Sequence, residues 1–98
     1  MNPNPSPQKL KKRRVTFSLT APNAEQVAVA GAFNGWDEKA GRMQRSGPGV
    51  WQKIVILPPG DYEYKFVVDG ECLTDPHNPE IRSNCFGTFN SFLRVAVK

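Results

Sequence analysis

Histidine and cysteine are scarce in this 98-residue sequence, which contains one histidine and two cysteines. A lone His77 gives no paired ligand spacing of the kind that structural zinc sites use, and two cysteines do not make a disulfide framework. The sequence also lacks an apolar run of about 18 residues, the length that a membrane-spanning helix needs. These absences argue against a zinc module, a disulfide-rich scaffold and a membrane-spanning chain.

The positive charge of the chain is confined to its first residues. The formal net charge is +4, but five of the 13 basic residues lie within residues 1–14, which contain no acidic residue. The other 84 positions carry eight basic and nine acidic residues and are close to neutral. The proline-spaced segment 1–14 predicts a flexible basic tail, followed by an ordered domain over residues 15–98. A basic tail can bind nucleic acid, but this one has no aromatic residue for base stacking, so nucleic acid is not the expected partner.

The N-terminus does not have the pattern of a secretory signal, because no apolar segment follows its basic residues. We therefore expect a cytoplasmic protein whose thiols are reduced. A disulfide between Cys72 and Cys85 stays open as the alternative.

Alternating apolar and polar residues from Val15 onward predict β-strands and no helix. The clearest strand is residues 61–68, where Tyr62, Tyr64, Phe66 and Val68 would share one face. The other predicted strands start near residues 15, 27 and 51, cover 41–45, and end the chain through Val97. Asp69-Gly70 is typical of a two-residue hairpin turn. About seven short strands at this spacing predict an all-β sandwich of two antiparallel sheets.

The sequence does not contain a recognisable catalytic set. His77 lies in a predicted turn, where exposure to solvent is the expected state. Asp69, Glu71 and Asp75 crowd one hairpin and the following loop, but turn formation explains Asp69 and Asp75 without catalysis. No glycine-rich phosphate-binding loop opens a helix. We therefore expect that the chain is not an enzyme and uses no cofactor or metal.

Five sequence blocks form a specific pattern. In chain order they are GAFNGW (31–36), GVW (49–51), LPPG with YEYKFVVDG (57–60 and 62–70), DPHNP (75–79) and FGTFNS (86–91). In order and spacing they resemble the family 48 carbohydrate-binding modules. That family includes the glycogen-binding domain of the AMP-activated kinase beta subunit and the N-terminal domains of isoamylases and branching enzymes. The resemblance extends from Val15 to Val97.

This resemblance implies an early-set, immunoglobulin-like β-sandwich that binds α-1,4-glucans such as glycogen, starch, maltooligosaccharides or cyclodextrin. In the kinase-type domains two tryptophans stack on sugar rings, a lysine hydrogen-bonds hydroxyl groups, and a loop adds a large apolar residue, a threonine and an asparagine. By position, the implied carbohydrate-binding residues of this chain are Trp36, Lys65, Phe86, Thr88 and Asn90. The position of the second tryptophan is occupied by Cys72.

The chemistry of these residues agrees with sugar binding. The C–H faces of glucose pack on a flat aromatic ring, and its hydroxyl groups need donors and acceptors around that ring. Lys65 alternates with the aromatic face of its strand, so we expect it to point outward. By analogy with base stacking, a ring contact contributes about 1–3 kcal/mol. Because Cys72 recovers little of that, we expect an affinity weaker by about one to two powers of ten than in a two-tryptophan domain.

Structural interpretations and a second function stay open beside this one. Trp36 is either a partly exposed loop residue or a plug in the core, whereas Trp51 is expected in the core. We expect Phe89 to pack inward and Leu73 to point to the face opposite Cys72. The alternative function is a protein-interaction module of the same fold, which packs against a glycogen- or starch-metabolising enzyme and binds little sugar.

Overall fold

A computed structural model describes residues 12–84 and 87–96, which form eight β-strands in two antiparallel sheets. The strands are β1 (Arg13–Thr20), β2 (Val27–Gly31), β3 (Gln44–Gly47), β4 (Val50–Leu57), β5 (Gly60–Val68), β6 (Glu71–Leu73), β7 (Ile81–Ser83) and β8 (Phe89–Val95). Within the described ranges the helical content is one 3-10 turn, Ala32–Asn34, and no helix there is long and apolar enough to cross a membrane. The predicted all-β sandwich is confirmed.

The central strand β5 organises the larger sheet. The smaller sheet has the order β1-β4-β3, and the larger has the order β2-β5-β8-β7, with β6 also paired to β5. The first half of β5 pairs with β8 up to Tyr64↔Ser91, and its second half pairs with β6 from Phe66↔Leu73 onward. Because β6 and β8 share one edge of β5, they meet beside Lys65, the residue between these two halves.

The core between the sheets is rich in aromatic side chains. Phe17, Trp51, Tyr64 and Phe66 are each 6% exposed or less. The Phe17 and Tyr64 rings meet edge to face, with centroids 4.9 Å apart. Burial of one such side chain stabilises the fold by about 1.5–3 kcal/mol. The buried Trp51 indole N–H donates to the Ala21 carbonyl at 3.1 Å, which confirms its predicted place in the core.

The predicted turn at Asp69-Gly70 connects β5 to β6. Both residues have positive φ, 48° and 89°, as the two-residue hairpin turn with a right-handed twist requires. The resulting register pairs Cys72 with Val67 and Leu73 with Phe66. Since Phe66 is in the core, Leu73 lies on the core-side face and Cys72 on the outer face, as predicted.

Several strand limits differ from those predicted. β1 begins at Arg13 rather than Val15, because Arg13 pairs with Leu57 at the far end of β4. The strand expected at 41–45 is β3 at residues 44–47. β7 was not predicted, and β6 was implied only as the second strand of the Asp69-Gly70 hairpin, since three residues are too few to show an alternation. Residues 1–11 of the predicted tail, and Val97, lie outside the described residues.

The prediction that Phe89 packs inward is wrong. Phe89 lies two residues before the buried Ser91 on β8, and so on the core-side face of the larger sheet. Its side chain is nevertheless 53% exposed. The smaller sheet does not cover this corner, and alternation along a strand cannot reveal how far the opposite sheet extends.

Candidate functional site

The loop after β2 presents Trp36 at the surface. Trp36 is 40% exposed and has a φ of 62°, a left-handed conformation that bulky residues seldom adopt. Its backbone N–H donates to the Gly31 carbonyl at 2.9 Å. Asn34 fixes the loop, because its Oδ1 accepts from the Gly31 N–H at 3.1 Å and its Nδ2 donates to the Val29 carbonyl at 3.0 Å. Of the two interpretations of Trp36, the structure shows the partly exposed loop residue, and the surrounding bonds hold a strained backbone of the kind that often occurs at functional sites.

Lys65 extends from β5 toward this indole. Its Nζ lies 5.8 Å from the centroid of the Trp36 ring, within cation–π range. Lys65 pairs with Ala30 on β2, and both lie on the outer face of the larger sheet, as predicted for Lys65. Ala30 and Val67 are only 2% and 4% exposed although they face away from the other sheet. A small apolar surface is therefore buried on the outer side of the sheet, next to Trp36 and Lys65.

A groove of about 300 Å³ opens at this place. Its apolar floor is formed by the two small side chains just named, and its rim carries Trp36, Glu38, Lys65, Cys72, Asn84 and Asn90. Trp36, Lys65 and Asn90, which were predicted from three separate sequence blocks, therefore line one concave surface. A flat, partly exposed ring beside donors and acceptors is the combination that binds a sugar.

Asn90 lies at the back of the groove and is only 5% exposed. Its Oδ1 accepts from Asn84 Nδ2 at 3.4 Å, and its Nδ2 donates to Glu63 Oε1 at 3.2 Å. A side-chain amide has two N–H donors and two acceptor lone pairs, and these bonds use one of each. The two partners therefore orient the amide while leaving it hydrogen-bonding capacity toward the groove.

Thr88 lies on an exposed loop that Asn84 organises. The Thr88 N–H donates to Asn84 Oδ1 at 3.2 Å, and the Asn84 N–H donates to the Thr88 carbonyl at 2.9 Å. Thr88 lines a second groove of about 410 Å³, whose wall also includes Lys65 and Cys72. The two grooves thus adjoin at Lys65 and Cys72. The predicted site residue Phe86, and Cys85 of the possible disulfide, lie outside the described residues.

Two groove residues, Asn84 and Glu38, and one residue that holds Asn90, Glu63, were not predicted as site residues from the sequence. Asn84 joins Thr88 to Asn90, but the sequence shows only an asparagine in a predicted loop, which is ordinary turn composition. Glu38 lies two residues after Trp36, but nothing in the block GAFNGW predicts that Glu38 lines the groove. Glu63 had a usable signal, because it precedes Lys65 by two residues and must share its face.

Two of the three carboxylates weighed as catalytic candidates, Asp69 and Asp75, accept hydrogen bonds that hold the fold. Asp69 Oδ1 accepts from the backbone N–H groups of residues 25 and 26 at 3.0 and 2.8 Å. Asp75 Oδ1 accepts from the His77 N–H at 2.9 Å, and its Oδ2 accepts from the Tyr64 hydroxyl at 2.7 Å. Burial, followed by contact with Asp75, raises the pKa of Tyr64 above its ordinary value. Among residues 12–84 and 87–96 no group of three or more His, Cys, Asp or Glu is placed to hold a metal ion.

A family model described as the glycogen recognition site of AMP-activated protein kinase matches residues 13–98. The chain belongs to this family. It is 36% identical over 86 residues to the protein FLOURY ENDOSPERM 6, chloroplastic, of Oryza sativa subsp. japonica. That match covers 88% of this chain and 16% of the relative.

Other relatives are a kinase subunit and an enzyme. The 5'-AMP-activated protein kinase subunit beta-2 of Homo sapiens is 33% identical over 82 residues, 84% of this chain and 29% of the relative. The 1,4-alpha-glucan branching enzyme GlgB 2 of Rhizobium johnstonii is 39% identical over 75 residues, 71% of this chain and 10% of the enzyme. The chain thus spans less than a third of the length of each of these relatives. The resemblance drawn from the sequence blocks is confirmed, whereas the cytoplasmic location stays a prediction.

Proposed function

We propose that this chain binds α-1,4-glucans, such as glycogen, starch chains and maltooligosaccharides, without altering them chemically. Trp36 stacks on the C–H face of one glucose unit. Lys65 and Asn90 contact hydroxyl groups of the same stretch of chain, and Thr88 contacts the sugar that follows. The sequence resemblance adds Phe86 to this set.

One observation carries the proposal more than any other. The exposed Trp36 indole lies 5.8 Å from the Lys65 ammonium at the rim of a groove with an apolar floor. Trp36 is 40% exposed, so part of its ring is accessible to a ligand, and its left-handed backbone is of the kind that often occurs at functional sites. Membership of a glycogen-recognition family supports the same ligand class.

The affinity follows from the number of stacking rings. Cys72 is exposed and occupies the position at which the kinase-type domains carry their second tryptophan. A thiol offers little of the contact area of an indole ring, and a stacked ring contributes about 1–3 kcal/mol. We expect binding about one to two powers of ten weaker than in a two-tryptophan domain.

A titration with maltoheptaose or β-cyclodextrin tests the proposal, because the two indole N–H signals report on different places. The signal of Trp36 should shift with ligand at millimolar concentration. The signal of Trp51 should stay constant, since its N–H is bound to the Ala21 carbonyl inside the core. Trp36→Ala should abolish binding at an unchanged melting temperature, and an absence of any shift around Trp36 and Lys65 would reject the proposal.

A second candidate function has one observation in its favour. Ile54 and Ile56 are 53% and 52% exposed on the outer face of β4, away from the sugar-binding groove. Such a pair suits a contact with an α-glucan-active enzyme. If this is the main function, Ile54→Asp should weaken association with a branching-enzyme catalytic domain in sedimentation experiments, and the wild-type domain should bind no maltoheptaose.

A further inference from the structure

Lys65, Asn90 and Arg82 form one row across the outer face of the larger sheet. The buried residues Tyr64 and Ser91 pair between β5 and β8, and the next residues along these strands, Lys65 and Asn90, line one groove of about 300 Å³. Asn90 in turn pairs with Arg82 on β7. Residues directly opposite each other on neighbouring strands share a face. Arg82 therefore lies on the face that carries the groove, one strand and about 5 Å beyond Asn90.

The guanidinium of Arg82 is held over an aromatic ring. Its Cζ lies 4.0 Å from the centroid of the Phe92 ring, and Phe92 is half-buried, two residues after Asn90 on the same face of β8. Arg82 Nη1 also donates to the Ile81 carbonyl at 2.9 Å and lies 3.6 Å from Glu80 Oε1. A side chain that is already held in place loses less conformational entropy when it binds a ligand.

The same guanidinium keeps donors that the fold does not use. A guanidinium has five N–H groups, and the contacts to Ile81 and Glu80 involve only those on Nη1. Within residues 12–84 and 87–96, the Nε and Nη2 groups of Arg82 have no hydrogen-bond acceptor, and the side chain is 45% exposed. Arg94 on the same face differs, because its Nε donates to Asp61 Oδ1 at 2.9 Å. Arg82 therefore has available donors beside the groove.

We propose that Arg82 extends the glucan site beyond Asn90, with Phe92 as the positioning residue beneath it. The guanidinium N–H groups donate to hydroxyl oxygens of the glucose unit that lies past Asn90. The bound glucan then crosses the strands of the larger sheet on one face, from Trp36 past Asn90 to Arg82. This inference rests on the proposed function and deepens it, since it adds a contact for the same uncharged ligand.

The wild-type complex gives a direct test, because side-chain Nε–H signals in nuclear magnetic resonance report on each arginine separately. In a titration with maltoheptaose, the Arg82 signal should shift with the same midpoint as the indole signal of Trp36. The Arg94 signal should stay constant, since Asp61 holds its Nε–H. A constant Arg82 signal beside a shifting Trp36 signal would overturn the proposal.

Arg82→Ala should weaken maltoheptaose binding about three- to tenfold, the loss expected for one or two hydrogen bonds. Arg94→Ala is the matched control, because it also removes an exposed arginine that lies over Phe92, with Cζ 5.6 Å from the ring centroid. The control should change the affinity by less than about twofold. Equal weakening by the two variants would overturn the proposal, because a general loss of positive charge produces that result.

Phe92→Leu tests the positioning role, because leucine keeps apolar bulk but offers no ring to the guanidinium. It should weaken maltoheptaose binding about as much as Arg82→Ala does, and it should add no further loss in the Arg82→Ala background. Thermal unfolding of each variant confirms that it is folded. A further loss in that background would show that Phe92 acts independently of Arg82 and would reject its positioning role.

The outcomes distinguish this proposal from the one on which it rests. If Trp36→Ala abolishes maltoheptaose binding and Arg82→Ala leaves it at the wild-type value, the extension to Arg82 is rejected and the proposed function stands. If the wild-type chain binds no maltoheptaose, both proposals fail.

Discussion

Cys72 lies directly across the β5–β6 ladder from Val67, on the face of the sheet that also carries Lys65. Val67 is the floor of the Trp36 groove, and the thiol borders both grooves. A side chain at this position therefore lies where the two grooves adjoin, next to the floor of the Trp36 groove. Its size and shape decide how much of a passing sugar is in contact with protein.

Cys72→Trp should increase the affinity for maltoheptaose and β-cyclodextrin by about tenfold, because it adds one stacked ring to the existing groove. Calorimetric titration measures the change. Cys72→Ser serves as the control, since it alters the side chain without adding a ring and should leave the affinity nearly constant. Equal affinities in all three proteins would show that the sugar does not pass this face.

Lys65→Ala should weaken glucan binding about three- to tenfold, the range expected for one hydrogen-bonding partner and the support of its cation–π contact. Lys53→Ala is the matched control, because Lys53 is also half-buried on a central strand but lies in the smaller sheet. The affinity should not depend on salt concentration, since the ligand is uncharged. A steep fall in binding with salt would instead indicate a polyanionic ligand.

The sequence predicted the elements of the site whose position follows from strand alternation or from a complete sequence block. Lys65 had to point away from the aromatic face of β5, and the Asp69-Gly70 turn set the register of Cys72. Trp36 followed from the block GAFNGW, although its exposure became certain only from the structure. Local rules govern the orientation of Lys65 and the register of Cys72, whereas the role expected of Trp36 came from the family resemblance.

The parts that were missed depend on contacts between segments distant in the chain. Asn84 connects Thr88 to Asn90 through side-chain hydrogen bonds, which residue spacing in the sequence does not predict. Phe89 was expected in the core from the family resemblance; it does lie on the core-side face, but its side chain is 53% exposed because the smaller sheet does not cover that corner. Where an opposite sheet stops is a property of packing, and alternation along one strand contains no information about it.

Asp69→Ala should lower the free energy of unfolding by about 1–2 kcal/mol. The substitution removes the acceptor for the backbone N–H groups of residues 25 and 26 and places an alanine at a φ of 48°. Asp69→Asn keeps one acceptor oxygen, and asparagine tolerates the left-handed backbone. This variant should therefore lower the free energy of unfolding clearly less than Asp69→Ala does. Denaturation by urea measures both values, and an equal loss in the two variants would contradict the assigned role of the carboxylate.

Tyr64→Phe should destabilise the fold and change its response to alkaline pH. The Tyr64 hydroxyl is buried, donates to Asp75 Oδ2 at 2.7 Å and accepts from Asn78 Nδ2 at 3.1 Å. Loss of this hydroxyl should lower the free energy of unfolding by about 1–2 kcal/mol at neutral pH, because Asp75 Oδ2 then loses its hydrogen-bond donor at a partly buried position.

The alkaline response has a definite sign. Burial, as the largest cause, raises the pKa of Tyr64 in the folded state above the ordinary tyrosine value, so the folded protein holds this proton more tightly than the unfolded chain does. The stabilising contribution is therefore complete below about pH 10 and is lost as the pH rises further, toward the folded pKa. Above about pH 10 the free energy of unfolding should fall by up to about 1.4 kcal/mol per pH unit from this group.

Denaturation curves of wild type and Tyr64→Phe at several pH values between 7 and 11.5 isolate this effect, because every other titrating group is common to both proteins. The difference in stability between them should be constant from neutral pH to about pH 10 and should shrink above it. Tyr62→Phe is the control, since the Tyr62 hydroxyl donates to the Pro58 carbonyl at 2.6 Å in an exposed position. If the difference between wild type and Tyr64→Phe does not shrink at alkaline pH, the hydroxyl is not protected in the folded state and its bond to Asp75 does not stabilise the loop beside β8.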